Sequence, residues 1–375
     1  MVKLDELYTE KQLIYNSPIS DICKAKPVNS GAAAVVCLKI VDVDFKIPPH
    51  SIHREIEAIK KLQSHRAIVE YIDHFQIIDD MILVEQYYDM NLSQLMTHVA
   101  KYSRKKTRLN LENPLLAPSY TIWNNIASDD VRGFLTSMSD GLRHIHGHGI
   151  IHRDIKPSNI LFKKKLTSNG GGGDDDDDDD VDITQPVIAD FGVCYDTTNP
   201  PSDEPPLGKY IDVCTGIYKS PELLLGMTDY QYEIDVWALG VILTILYSPD
   251  FKSVLLRGGC GQQEKGGEED EDEDGDEEMR NEMQISDLHL LSCIFNSFGT
   301  PHYEPDDDEE MVWQELERDE YHFKKFNLKK HKRKAVGELI PRCHDEQVQL
   351  LFSKMTRYDR GKRITSEELF NSLKR

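Results

Sequence analysis

The chain has 375 residues, 39% apolar and 29% charged, a length that suits two domains or one large two-lobed domain. Its formal charge of −22 is local: seven consecutive aspartates fill 174–180, 264–278 holds eleven acids against Lys265, and only −5 remains for everything else. That balance excludes a basic nucleic-acid footprint, and the longest apolar run, Trp237 to Tyr247, is too short to span a bilayer.

In chain order, MVKLDELYTEKQ carries no apolar stretch of signal-peptide type. VVCLKIV (35–41), interrupted only by Lys39, and MILVEQYY (81–88) predict strands. Between them PPHSIHREIEAIKKL (48–62) puts Ile52, Ile56 and Ile59 at helical spacing behind two prolines. From about residue 90 the texture turns helical. Val131, Phe134, Leu135, Met138, Leu142 and Ile145 form a stripe ending at Gly147, and Trp237, Val241, Leu243 and Leu246 mark a further apolar helix. SNGGGGDDDDDDD (168–180) and GGCGQQEKGGEEDEDEDGDEE (258–278) bury too little apolar surface to order themselves and read as surface insertions. The expectation is an α+β, two-lobed chain, with a small strand-rich lobe over 1–90 and a larger helical lobe over 91–375. Inserts are expected at 101–130, 163–186 and 250–285. The seven cysteines are scattered without a CxxC pair and read as reduced thiols of a cytoplasmic or nuclear protein.

Chemistry concentrates in IIHRDIKPSNILF (150–162) and VIADFG (187–192). Short apolar segments bracket a polar loop, so buried strands hold Asp154, Asn159 and Asp190 in fixed places. Phosphoryl transfer from a nucleotide asks for metal ligands, a group that orients the attacking hydroxyl, and cations over the phosphates. HRDxxxxN followed about thirty residues later by DFG supplies the first two. A lysine in the middle of a buried strand is costly unless paired, so Lys39 calls for a partner such as Glu55 on the next helix.

These motifs resemble the eukaryotic protein kinase family from about residue 11 to the C-terminus, which implies the two-lobed kinase fold with ATP and Mg2+. The resemblance implies Asp154 as catalytic base, Lys156 as the cation on the transferring phosphoryl group, and Asn159 and Asp190 as magnesium ligands. Lys39 would meet the α- and β-phosphates, fixed by Glu55, and backbone groups of Gln86 and Tyr88 would hold adenine. In TGIYKSPE (215–222), Thr215 resembles the threonine bridging Asp154 and Lys156. Glu222 would pair with Arg363, and Asp235 would brace the HRD loop. A lysine at position 156 resembles the serine/threonine branch, and FGTP (298–301) resembles the cyclin-dependent and mitogen-activated branch, although that branch usually has arginine where Lys219 stands.

Residues 13–36 hold one glycine, Gly31, and no GxGxxG, so the nucleotide roof must close some other way. Glu85 falls where an apolar or hydroxyl residue usually stands, facing a hydrophobic pocket unless it pairs with a rotated Lys39. With DFKIPPH (44–50), DMNL and TGIYKSPE, these departures resemble the yeast-type monomeric kinases that activate cyclin-dependent kinases. That resemblance implies a monomer acting without cyclin on the activation-loop threonine of such kinases, with no nucleic-acid or membrane partner. Arg153 commonly binds an activation-segment phosphate in kinases. Here one of Asp203, Glu204 and Asp212 is expected to neutralise it, with Thr197 and Thr198 as competing phosphate sites. The basic clusters 101–108 and 324–334 read as solvated patches, or else as an import signal or docking face. Two alternatives stand beside the enzyme: a pseudokinase scaffold, favoured by the altered roof and Glu85, and a cyclin-requiring kinase of the same branch.

Overall fold

A computed structural model describes residues 4–28, 35–103, 105–108, 119–121, 123–165, 181–257, 285–304, 310–318, 323 and 329–374. Both acidic runs lie outside the described residues, as do the side chains of 101–108 and residues 324–328 of the basic clusters.

The short helix α1 (Leu4–Leu7) leads into β1 (Tyr8–Asn16), β2 (Asp21–Pro27) and β3 (Val36–Asp42). Helix α2 (Ile52–Leu62) follows, then β4 (Tyr71–Ile77) and β5 (Asp80–Gln86). The five strands form one antiparallel sheet in the order β1-β2-β3-β5-β4. Side chains alternate across it. Val36, Leu38, Ile82 and Val84 form a small outer core, whereas Val41, Met81 and Leu83 join the main core under α2. Lys39, two residues before Val41, shares the α2 face. Ser51 caps α2 by accepting from the Arg54 N–H at 3.3 Å, and Ile52, Glu55, Ile56 and Ile59 are buried.

The remainder is mostly helical. It runs through β6 (Met90–Asn91), α3 (Leu92–Ser103), a ribbon of β7 (Lys105–Arg108) and β8 (Ser119–Thr121), and α4 (Ser128–Gly147). Four short strands follow, β9 (Ile150–Ile151), β10 (Ile160–Phe162), β11 (Val187–Ile188) and β12 (Tyr195–Asp196). Then come α5 (Pro221–Leu224), α6 (Glu233–Leu246), α7 (Asp287–Phe298), α8 (Val336–Leu339), α9 (Glu346–Met355) and α10 (Ser366–Leu373). The expected insert at 101–130 is narrower than its bounds, because α3 runs to Ser103 and α4 begins at Ser128. Helix α6 is buried from Ile234 through Leu246, and Trp237 meets the rings of Phe298 and Tyr358. The two lobes are stitched by backbone bonds from Val69 to Ile188 (2.9 Å) and from Ile188 to Ala67 (2.8 Å). Among the described residues no helix is long and apolar enough to cross a membrane.

Candidate active site

The polar loop 152–159 leaves β9, which pairs with β12, and enters β10, which lies between β6 and β11. Its most strained member is Arg153, at φ +70°, a conformation that side-chain residues adopt only when their surroundings enforce it. Asp235, buried in the first turn of α6, enforces it. Its carboxylate accepts the N–H groups of His152 (2.8 Å) and Arg153 (2.9 Å) and contacts His146 Nε2 at 3.0 Å. Burial alone would raise the Asp235 pKa, yet His146 and these N–H groups hold it below the ordinary range.

With the loop held, its side chains close on one another. Lys156 Nζ lies 2.8 Å from Asp154 Oδ2 and donates to Thr215 Oγ1 at 2.9 Å, and Thr215 donates to Asp154 Oδ1 at 2.8 Å. Asn159 Nδ2 donates to the Asp154 carbonyl (2.9 Å) and carboxylate (3.1 Å). Across this floor, Lys39 Nζ sits 2.7 Å from Glu55 Oε1 and 2.8 Å from Asp190 Oδ1, so the sequence-predicted pair is joined by a second acid. Burial opposes the Lys39 charge, but the two carboxylates override it and hold the ammonium above its ordinary pKa. Partial burial would raise the Asp190 carboxyl, yet Lys39 holds it well below its ordinary range. Asp190 is also strained, at φ +65°. At Gly192 a Cβ would stand 3.2 Å from Asp190 Oδ1 and 3.5 Å from Lys39 Nζ, so no larger residue fits without crowding the pair.

Asp190 and Asn159 offer a carboxylate and an amide beside the space where phosphates would enter, and the Asp190 side chain keeps 44% of its surface exposed. Among the described residues no group of three or more His, Cys, Asp or Glu could hold a metal by itself. A sparse oxygen donor set of this kind fits Mg2+, which takes one or two protein ligands and completes its shell with water and substrate phosphates. Gln86 ends β5, and half-buried Tyr88 opens the link to the helical lobe, with the Lys163 ammonium 5.5 Å from the centre of its ring. The pairing of Glu85 with Lys39 does not occur, because both nearby carboxylates already hold that ammonium. Glu85 is buried with no hydrogen-bond partner for Oε1, and burial, reinforced by the charge of Glu55, pushes its carboxyl up to about 8.

Of the three acids considered for Arg153, the structure seats Glu204. Arg153 Nη1 contacts Glu204 Oε1 and Nη2 lies 3.3 Å from Oε2, with both side chains fully buried. Asp203 is exposed, and Asp212, with 97% of its side chain exposed, faces Lys219 at 3.4 Å. Thr197 donates to the Gly149 carbonyl (2.8 Å), and Thr198 accepts from Lys61 (2.9 Å), so neither meets Arg153 in these bonds. Glu222 and Arg363 form the expected bidentate pair at 2.6 and 3.1 Å, fully buried. Sequence reasoning missed Arg54, whose guanidinium joins Glu204 at 3.2 Å, and Tyr230, which accepts from Arg153 at 3.1 Å. The only signal for Arg54 was its place beside Glu55, on a helix turn already tied to the site.

A strand-rich sheet carrying Lys39 above a helical body carrying Asp154 and Asp190 is the two-lobed protein kinase fold. The family described as "Protein kinase domain" matches residues 20–373, and the chain belongs to that family. It is 29% identical to "Serine/threonine-protein kinase CAK1" of Saccharomyces cerevisiae, over 80% of this chain and 76% of that protein. It is 24% identical to "Cyclin-dependent kinase B2-2" of Arabidopsis thaliana over 86% and 78% of the two chains. With "Probable CTD kinase subunit alpha homolog" of Encephalitozoon cuniculi it shares 28% over 66% and 56%.

Proposed function

We propose that the chain is a serine/threonine protein kinase that transfers the γ-phosphoryl group of ATP to the activation-loop threonine of cyclin-dependent kinases, as a monomer without cyclin. Asp154 accepts the proton of the substrate hydroxyl as its oxygen bonds to the γ-phosphorus and the bond to the β–γ bridging oxygen breaks. Lys156, held by Asp154 and Thr215, balances charge on the moving phosphoryl group. Lys39, oriented by Glu55, meets the α- and β-phosphates. Asn159 and Asp190 would hold Mg2+, which supplies charge neutralisation between the phosphates. Backbone groups of Gln86 and Tyr88 would seat adenine. The similarity to CAK1 supports the choice of substrate class.

One observation carries the autonomous reading. Glu204 supplies, from within the activation segment, a carboxylate bound at once to Arg153 in the loop and Arg54 on α2. A loop phosphate would make the same charge-assisted bonds, and a bound partner pressing on α2 would do the same work as Arg54–Glu204. The test is transfer of labelled phosphate from ATP with magnesium to an unphosphorylated cyclin-dependent kinase, beside the same substrate with its loop threonine changed to alanine. Label confined to the threonine-bearing substrate is the expected result. Label on neither substrate, nor on a second protein kinase, would leave the scaffold reading in its place.

A further inference from the structure

The turn joining β1 to β2 lies over the site. β2 pairs Asp21 with Ile40 and Ile22 with Lys39, so residues 17–20 leave the sheet beside the lysine of β3. The turn reads Ser17-Pro18-Ile19-Ser20 and contains no glycine.

All its main-chain donors are already engaged. Ser17 Oγ accepts the N–H groups of Ile19 (3.2 Å) and Ser20 (3.0 Å), and the Ser17 hydroxyl contacts the Ser20 carbonyl at 3.1 Å. The Ser17 N–H donates to that same carbonyl at 3.0 Å, and Pro18 has no N–H to give. Two neighbouring backbone N–H groups converging on one oxygen is how a loop cradles an anion. Here the oxygen belongs to the protein.

Resting on the kinase reading above, we propose that Ser17 occupies the place of a phosphate oxygen in its own roof. The turn then covers a bound nucleotide without hydrogen-bonding it, and the polyphosphate is held by Lys39 from β3 and, from the floor, by Lys156 and the metal ligands. Ser17 is thus a positioning residue that sets how much of the affinity comes from the phosphates. Such a roof trades triphosphate affinity for easy release of the diphosphate product, a step that often limits turnover.

The experiment measures binding of adenosine and of magnesium adenylyl imidodiphosphate to the full chain by calorimetry, for wild type, Ser17→Ala and Ser17→Thr. Removing the hydroxyl frees two N–H groups for the phosphates. Charge-assisted bonds of that kind are strong enough to tighten the triphosphate analogue by about five- to tenfold while adenosine affinity stays level. Ser17→Thr, which keeps an oxygen on Cβ, is expected to bring the ratio of the two affinities back toward wild type. A Ser17→Ala chain whose ratio is unchanged or lower overturns the proposal and leaves the kinase reading standing. A wild-type chain that binds neither ligand overturns both.

Discussion

The floor and the roof of the cleft are built by opposite means. On the floor, Arg153, Glu204, Asp235, Glu222 and Arg363 are buried charges, each matched to a partner; that network holds the strained Arg153, and Lys39 holds the strained Asp190. The roof strand β1 is exposed along nearly its whole length, with Leu13 at 56% and Tyr15 at 61%, and its turn is stabilised by its own serine. Preorganised charge is the strongest single contribution a catalytic site can make, and this chain keeps it on the floor and in the Lys39–Glu55 pair, away from the β1–β2 turn. Changes to the floor should therefore be severe and changes to the roof graded.

The sharpest break is Asp154→Asn. It keeps the size of the side chain while removing the carboxylate that accepts the proton and pairs with Lys156, so kcat should fall about 10²–10⁴-fold while the chain stays folded. Steady-state transfer assays beside urea unfolding check both halves, and undiminished turnover would remove Asp154 from its assigned role. Next comes Glu204→Ala, which leaves Arg153 and Arg54 facing each other without their shared carboxylate. Removing one partner of a buried ion pair costs about 3–5 kcal/mol, and activity should fall by about tenfold or more as the loop relaxes. Phosphatase treatment of wild type should change nothing. A phosphatase-sensitive wild type with an active Glu204→Ala chain would transfer the role from Glu204 to a phosphate.

The difference between floor and roof also marks what the sequence made legible. HRDIKPSN and DFG could be read because phosphoryl transfer needs those residue types at that spacing, and Lys39 pointed to Glu55 because an unmatched charge in a strand is costly. The sheet and the main helices followed from periodicity, since Ile52, Ile56 and Ile59 can share a face only in a helix. The choice among Asp203, Glu204 and Asp212 was not legible. Their segment is rich in proline and acid, has no periodicity, and its outcome depends on Arg54, 150 residues away. The β7–β8 ribbon was missed for the same lack of pattern. The roof was half legible: missing glycines were plain, while the serine that takes over the turn was visible as a Ser-Pro pair whose meaning depends on side-chain geometry.

The back wall of the cleft belongs to neither pattern, because Glu85 is buried like the floor but unmatched. Its folded pKa, about 8, lies above the unfolded value of 4.5, so the folded state binds the proton more tightly. Its contribution to stability is present below pH 4.5 and is lost as pH rises toward 8. Glu85→Met, similar in length and unable to titrate, should therefore gain on wild type as pH rises from 5 to 8. The gain should reach about 2–4 kcal/mol, at most about 1.4 kcal/mol per pH unit over that range. Urea unfolding at both pH values decides it. A constant difference between the two proteins would mean that Glu85 finds a partner in solution.

The smallest effect sharpens the comparison most, because it separates two tethers on one helix. Helix α2 meets the activation segment through Arg54–Glu204, where the carboxylate is fully buried, and through Lys61, which reaches Asp196 at 2.8 Å with about a third of its own surface exposed. Exposed pairs contribute about 0.2–1 kcal/mol and are screened by salt. Lys61→Ala should therefore change kcat/KM by less than about threefold, with the difference vanishing at high ionic strength. A loss as large as that of Glu204→Ala would place the hold on α2 at its solvent rim. The helix would then be released by salt, or by a phosphate on Thr198 competing for Lys61, and the buried carboxylate would not be what keeps Glu55 against Lys39.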